Sequence, residues 1–367
     1  MIIFKKGVSM KKVVFVNSSL SGGGSERVMT LLANQMAEDG YDIIMLLCVH
    51  NEEVYKLNEK VKSFYLKENN SNGLNMRLTR LKELRSKIKE EKPDVVISFM
   101  SQINMYSLIA TIGLNAKVIV SERADPKQRS KVHRIVESIL YTIFADNVVF
   151  QTEFVKKYFN LFIQKKSEVI ANPIDVSILP VYKGKKEKHI AGIGRLTSQK
   201  NFELLINAFS EFDKKVSGYT LHIFGDGPLL NRLKKLVDEK QLTQKVIFHG
   251  YVKNIAEQIC KYNMYVSTSN FEGISNAMLE SMAMGIPTIC TDCPVGGARM
   301  MIKNGVNGLL IPMNDQAALV DAMLRIADDK NVAQNISDAA IQIGKELDLK
   351  KIANKWEKLV EGGSYRE

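Results

Sequence analysis

With 367 residues the chain exceeds one comfortable hydrophobic core and suits two domains of about 150 to 200 residues each. Its 45% apolar and 25% charged residues are ordinary for a globular protein, and no apolar run approaches the roughly 20 residues of a membrane-spanning helix, which excludes an integral helical membrane protein. A net charge of +11 asks for an anionic partner, whether nucleic acid, an acidic membrane surface or a phosphorylated substrate. The opening Met1–Lys6 segment puts its apolar part before its charges and is too short for a signal peptide, and Met10 is an alternative start. Four cysteines are few for a disulfide framework, so the expectation is a cytoplasmic protein, with a peripheral place on the inner face of the cell membrane left open by its charge. Cys290 and Cys293 form a Cys-x-x-Cys pair, but no second pair or nearby histidine completes a zinc site, and they read as partly buried thiols.

Along the first half, strands and helices alternate. Val13–Val16 reads as a buried strand, Ser25–Glu38 as a helix, Ile43–Cys48 as a strand and Leu74–Glu91 as a helix; Val95–Ser98, Val118–Val120 and Asn147–Phe150 are further apolar runs of strand length. The rhythm predicts a parallel sheet with helices on both faces. Residues 170–175, with Pro173, break it, and a lysine-rich stretch from Lys183 to Lys188 follows as an interdomain connection. Strands are then expected at Ile190–Ile193, Thr220–Phe224, Lys245–Phe248, Met264–Ser267, Pro287–Cys290 and Leu309–Ile311. The fold class is therefore α/β, with one doubly wound domain over 1–175 and another over 176–349, and a C-terminal helix of about 350–367 able to pack back on the first. Two such domains facing each other would place the carboxyl ends of both sheets across a cleft, where open α/β sheets bind ligands.

Chemistry concentrates at the strand ends. Ser21-Gly22-Gly23-Gly24-Ser25-Glu26-Arg27 links the first strand to a helix, where glycines allow close backbone approach and a helix N-terminus attracts phosphate; a flexible turn is the alternative. Gly194-Arg195-Leu196 with Lys200 puts two cations five positions apart after the second domain's first strand, suited to clamp a diphosphate or simply to be solvated. Phe271-Glu272-Gly273-Ile274-Ser275-Asn276-Ala277-Met278-Leu279-Glu280 carries two carboxylates eight positions apart, the second in a helix that Ser275 or Asn276 can cap. Capping and surface roles are the bland reading of those glutamates. Ser121-Glu122-Arg123-Ala124 follows another strand, with cleft-wall and functional roles both open.

In order, Gly22-Gly23-Gly24, Gly194-Arg195-Leu196 with Lys200, Phe224-Gly225-Asp226-Gly227-Pro228, Phe248-His249-Gly250 and Glu272 to Glu280 resemble the motifs of family-4 glycosyltransferases of the GT-B fold, over nearly the whole chain. The resemblance implies two Rossmann-like domains facing across a cleft, and retaining transfer from a nucleotide sugar without a divalent metal or other cofactor. It gives Arg195 and Lys200 the donor diphosphate, Glu280 the ribose and Glu272 the donor sugar. Backbone at Gly23, Gly24, Gly273, Ser275 and Asn276 would cradle the donor, with Val252 near the base. Glu122 and Arg123 join Glu272, Arg195 and Lys200 as candidate catalytic groups. Many relatives have a histidine where Arg123 stands and often a glutamate at Met300, two departures that bear on donor contacts. A uracil base and a hexose or N-acetylhexosamine are expected, with a lipid-linked oligosaccharide or polysaccharide acceptor and no nucleic-acid partner.

The segment Leu74 to Lys92 sets Leu74, Leu78, Leu81, Leu84 and Ile88 among Arg77, Arg80, Lys82, Arg85, Lys87 and Lys89. It reads either as a basic amphipathic helix on an anionic membrane or as a helix packed on the sheet. A catalytically silent GT-B partner subunit of a synthase, or another GT-B enzyme such as a sugar-nucleotide epimerase, are the alternative functions.

Overall fold

A computed structural model describes residues 11–67, 74–182 and 184–363. It divides into two compact units, one running to Pro173 and resuming at Leu349, the other spanning Ile174–Asp348.

In the first unit the order is β1 (Lys12–Asn17), α1 (Gly24–Glu38), β2 (Asp42–Leu47), β3 (Lys62–Tyr65), α2 (Leu74–Glu91), β4 (Val95–Phe99) and α3 (Ser101–Thr111). It continues with β5 (Lys117–Glu122), α4 (Lys131–Phe144), β6 (Asn147–Phe150), α5 (Glu153–Lys156), α6 (Leu161–Lys165) and β7 (Ser167–Val169). The strands form one parallel sheet in the order β3-β2-β1-β4-β5-β6-β7. Val14 sits opposite Ile44 on one side and Val96 on the other, so the central strands are apolar on both faces, as helix-covered parallel strands must be. The two edge strands carry no such signature: β3 reads Lys-Ser-Phe-Tyr and is half exposed, and β7 has three residues. Both escape a reading based on apolar runs.

The structure settles the two readings of α2. Leu84 and Ile88 are buried in the core with Val14, Ile44 and Val96, and Leu81 packs against them. The C-terminal part of the α2 stripe thus covers the sheet, while Leu78 is 47% exposed and the side chain of Leu74 lies outside the described residues.

In the second unit the order is β8 (Glu187–Ile193), α7 (Phe202–Lys215), β9 (Thr220–Phe224), α8 (Leu230–Glu239), β10 (Val246–Gly250), α9 (Ile255–Ile259) and β11 (Tyr262–Ser267). Then come α10 (Asn276–Ala283), β12 (Thr288–Thr291), α11 (Gly297–Met301), β13 (Leu309–Ile311), α12 (Gln316–Asp328), α13 (Lys330–Ala340) and α14 (Gln342–Glu346). The strands form a second parallel sheet ordered β10-β9-β8-β11-β12-β13. Helix α7 presents Phe202, Leu205, Phe209 and Phe212 along one stripe, and α12 adds Leu319, Met323 and Ile326; these bury Ile190, Leu221, Ile223, Met264 and Ile289 of the sheet. Asn201 starts α7 from a left-handed conformation, φ 48°, and its carboxamide oxygen accepts from the Leu204 N–H.

The last helix, α15 (Leu349–Glu361), belongs to the first unit. Lys11 Nζ donates to the Val360 carbonyl at 2.9 Å and Lys117 Nζ to that of Leu359 at 2.5 Å, so two lysines satisfy orphan carbonyls at the helix end. Trp356 is fully buried, its ring 5.4 Å from that of Phe99. Trp356→Ala is expected to destabilise the first unit by about 3–5 kcal/mol through cavity formation, read as a lowered denaturation midpoint; a loss below about 1 kcal/mol would show that α15 is dispensable to that core.

Candidate active site

In an open α/β sheet the ligand crevice lies at the carboxyl ends of the strands where the winding reverses. In the second unit the reversal falls between β8 and β11, which are neighbours although separated in sequence. Arg195 and Lys200 follow β8, and Glu272 to Glu280 follow β11. Topology thus brings together two motifs that the sequence keeps about 70 positions apart.

The contact between them is direct. Lys200 Nζ lies 2.5 Å from Glu272 Oε2, with both side chains largely buried at 16% and 22% exposure. Ser269 Oγ donates to the same carboxylate oxygen at 3.1 Å. The loops are tied by their backbones as well: the Asn270 N–H donates to the Gln199 carbonyl at 2.8 Å, Asn270 Nδ2 to that of Ser198 at 2.8 Å, and Gln199 Nε2 to that of Phe271 at 3.0 Å. Thr268 Oγ1 reaches the carbonyls of Lys200 and Asn201 at 3.0 and 2.9 Å. Ser269, Asn270, Thr268 and Gln199 were not singled out from sequence; the visible signal is a polar run closing an otherwise apolar strand. Arg195 is exposed.

Ser275 caps α10, its hydroxyl accepting from the Met278 N–H at 3.4 Å. Asn276 and Glu280 lie on the first turns of that helix and are half-buried. Two glycines have no substitute here. A Cβ on Gly297 would stand 1.9 Å from the Gly273 carbonyl oxygen, and one on Gly225, at φ +126°, 2.2 Å from that of Gly194. The loops after β8, β9, β11 and β12 therefore pack backbone on backbone. Asp226 accepts from the Tyr251 N–H at 2.8 Å, fixing the turn that leads into half-buried Val252.

Behind this rim the sheet carries a polar aromatic layer. Thr220 Oγ1 lies 2.6 Å from His189 Nδ1 and 2.8 Å from His222 Nε2, and His222 Nδ1 lies 2.9 Å from His249 Nε2. The His249 ring stacks on Phe224 at 4.4 Å. Its side chain is thus occupied within the sheet, leaving backbone as what the Phe248-His249-Gly250 turn can offer a ligand. Cys290 and Cys293 are buried, and burial pushes the Cys293 thiol up to about 11, so neither is a ready thiolate.

In the first unit the glycine turn is not as open as its sequence promises. The Glu26 carboxylate accepts from the N–H groups of Gly22 and Gly23 at 2.9 and 3.0 Å and from Ser19 Oγ at 2.6 Å. The Gly23 N–H expected to face a phosphate is taken by the chain's own carboxylate, which also meets the helix dipole of α1, at whose first residue Gly24 stands.

Glu122 is wholly buried. Its carboxylate pairs with Arg129, accepts from the N–H groups of Arg123 and Ala124 at 3.1 and 3.3 Å, and meets Tyr141 Oη at 3.3 Å. Arg129 also bridges to buried Glu137 at 2.7 Å. Burial and the Glu122 charge push Glu137 above the usual carboxylate range. Sequence reading missed Arg129, Glu137 and Tyr141, which lie in a loop and on a helix with no motif. Arg123 is buried too: its guanidinium lies 4.1 Å over the Phe99 ring, donates to Asn172 Oδ1 at 2.5 Å, and leaves Nη2 without a partner. Burial lowers it to about 9. Both side chains are held by partners within the first unit, whereas Lys200 and Glu272 belong to the second.

The family profile "Glycosyl transferases group 1" matches residues 180–343, and "Glycosyltransferase Family 4" matches residues 22–178. The solved structure of HepE from Anabaena, in complex with UDP and glucose, superposes with a TM-score of 0.85 over 96% of this chain and 99% of that one, at 17% identity. The fold is GT-B. A Campylobacter jejuni protein described as a GalNAc-alpha-(1->4)-GalNAc-alpha-(1->3)-diNAcBac-PP-undecaprenol alpha-1,4-N-acetyl-D-galactosaminyltransferase is 29% identical over 96% of this chain and 98% of its own. A second from the same organism, an N-acetylgalactosamine-N,N'-diacetylbacillosaminyl-diphospho-undecaprenol 4-alpha-N-acetylgalactosaminyltransferase, is 25% identical over 94% and 98%. The chain belongs to glycosyltransferase family 4.

The histidine layer sets a pH dependence. Burial first, then the neighbouring His189 and His249, lowers His222 from 6.5 to about 4, with Glu187 opposing. Between those values the unfolded chain binds the proton and the folded one does not. Stability should therefore be full above about pH 6.5 and fall as pH drops toward about 4, with His222→Asn flattening that part of the thermal-midpoint profile. An unchanged slope in the variant would contradict it.

Proposed function

We propose that the protein is a retaining glycosyltransferase that moves a hexose or N-acetylhexosamine from a UDP-sugar to a lipid-linked oligosaccharide or polysaccharide, the second unit binding the donor and the first the acceptor. The observation that carries the donor half is the meeting of Lys200 and Glu272 at the β8/β11 switch point, beside exposed Arg195 and the start of α10. The acceptor half is supported by the two Campylobacter relatives, whose names specify undecaprenol diphosphate-linked sugars.

On this reading Arg195 and Lys200 balance the charge that builds on the departing diphosphate, with N–H groups around Ser275 and Asn276 adding to them. These groups supply positive charge without a metal or cofactor. Glu280 accepts from the ribose hydroxyls, and Glu272 both orients Lys200 and lies by the donor sugar. An acceptor hydroxyl attacks the anomeric carbon from the face the diphosphate leaves, the carbon–phosphate-oxygen bond breaks, and the hydroxyl proton passes to the departing phosphate. Glu122 serves this scheme by holding Arg129 and the turn after β5, not by contact with the sugar.

A panel of nucleotide sugars tested for thermal stabilisation checks the donor assignment. A UDP-sugar at one hundred times its Kd should add about 2.7 kcal/mol of stability, and Glu280→Ala should weaken it by about tenfold or more through loss of a charge-assisted hydrogen bond. No stabilisation by any nucleotide sugar, or equal binding by Glu280→Ala, would refute the assignment.

A further inference from the structure

Helix α4 is turned inside out. Its inward face is polar: Glu137 and Tyr141 are wholly buried, Glu137 against Arg129 and Tyr141 accepting from Asn104 Nδ2 at 2.7 Å. Its outward face is apolar, with Val132 71%, Ile135 59%, Ile139 52% and Ile143 63% exposed at the 3-4-4 spacing of one helical stripe. Helix α6 continues it. Asn160 Nδ2 donates to Ser138 Oγ at 3.1 Å and Thr142 Oγ1 at 3.0 Å, seating α6 beside α4 with Leu161 and Phe162 exposed at 71% and 73%. A water-facing helix reverses this pattern, and a contiguous exposed apolar patch marks a docking surface.

Charge selects the occupant. Residues 127–166 contain eight Lys and Arg and three Asp and Glu; with the mutually paired, largely buried Arg129 and Glu137 set aside, seven cations remain against two carboxylates, so the surface there is basic. Lys127, Lys131, Lys157 and Lys165 are exposed around the patch. A second copy docking through the same face would set these cations against their own images. A nucleic acid could pair its phosphates with the lysines but would leave the Val132, Ile135, Ile139 and Ile143 stripe of α4 without an apolar partner. An anionic bilayer satisfies both halves, taking the apolar stripe below its headgroups and pairing its phosphates with the lysines.

We propose that the α4–α6 face of the first unit docks the protein on an anionic phospholipid surface. The inference deepens the reading of a lipid-linked acceptor and rests on it for its purpose, while the geometry that carries it is independent of the donor site. The surface is distinct from α2, whose Leu81, Leu84 and Ile88 are turned to the core.

The test is co-sedimentation of the full chain with phosphatidylglycerol vesicles or phosphatidylcholine vesicles, with no nucleotide sugar and no sugar-bearing lipid present. Wild type should bind the anionic vesicles and be released by salt, and Ile139→Ser with Phe162→Ser should weaken binding about tenfold or more while the thermal midpoint stays unchanged. Lys131→Glu with Lys165→Glu should weaken it separately, by loss of charge. Equal binding to both vesicle types, undiminished binding by both variants, or a dimer that the Ile139/Phe162 variant dissociates in place of vesicle binding, would each overturn the proposal. Failure of the acceptor reading reads out elsewhere: a chain that binds these vesicles yet transfers sugar only to a water-soluble acceptor keeps the docking face and loses the lipid-linked substrate.

Discussion

The ion pair between Lys200 and Glu272 is the contact that joins the loops after β8 and β11 in the second unit. An ammonium left unpaired in so buried a place would be costly, and so would the carboxylate. Each charge therefore fixes the other, and with them the loops after β8 and β11. The backbone bonds from Asn270 and Gln199 and the glycine contacts at Gly225 and Gly297 make those loops one rigid rim. On the proposed function, a diphosphate arriving there would meet a lysine already oriented by a carboxylate, which could turn to a sugar hydroxyl once phosphate took over the ammonium.

The first unit uses buried charge differently. Burial opposes the Arg129 charge, but Glu122 and Glu137 outweigh it and hold its pKa above the ordinary value. The Glu122–Arg129–Glu137 cluster roots α4 through its polar side. Anchoring the helix by charge frees its apolar side to face outward, which an ordinary amphipathic helix cannot do without losing its hold on the core.

Central strands and most helices were legible in the sequence because parallel strands covered on both faces must be continuous apolar runs, as Val13–Val16 and Val118–Val120 are. The edge strands β3 and β7 were not, since Lys62–Tyr65 and Ser167–Val169 are only partly covered. Periodicity found the apolar stripe of α2 but could not say what it faced, and the stripe of α4, running outward, has the same period. Lys200 and Glu272 were each recognisable as motif members; their contact depends on strand order, which is written in no local stretch. The turn at Gly23 misled for the converse reason: Glu26, three positions on, is the group that takes its N–H. Buried partners such as Arg129 and Tyr141 have meaning only through the residues they touch.

The donor-site account is tested most directly by a crystal structure of the full chain with UDP. It should show the diphosphate at the carboxyl ends of β8 and β11, with Lys200 Nζ moved from Glu272 onto a phosphate oxygen, Arg195 drawn in beside it and Glu280 on the ribose. A diphosphate bound away from Arg195, or a Lys200–Glu272 pair left intact with the nucleotide elsewhere, would contradict it.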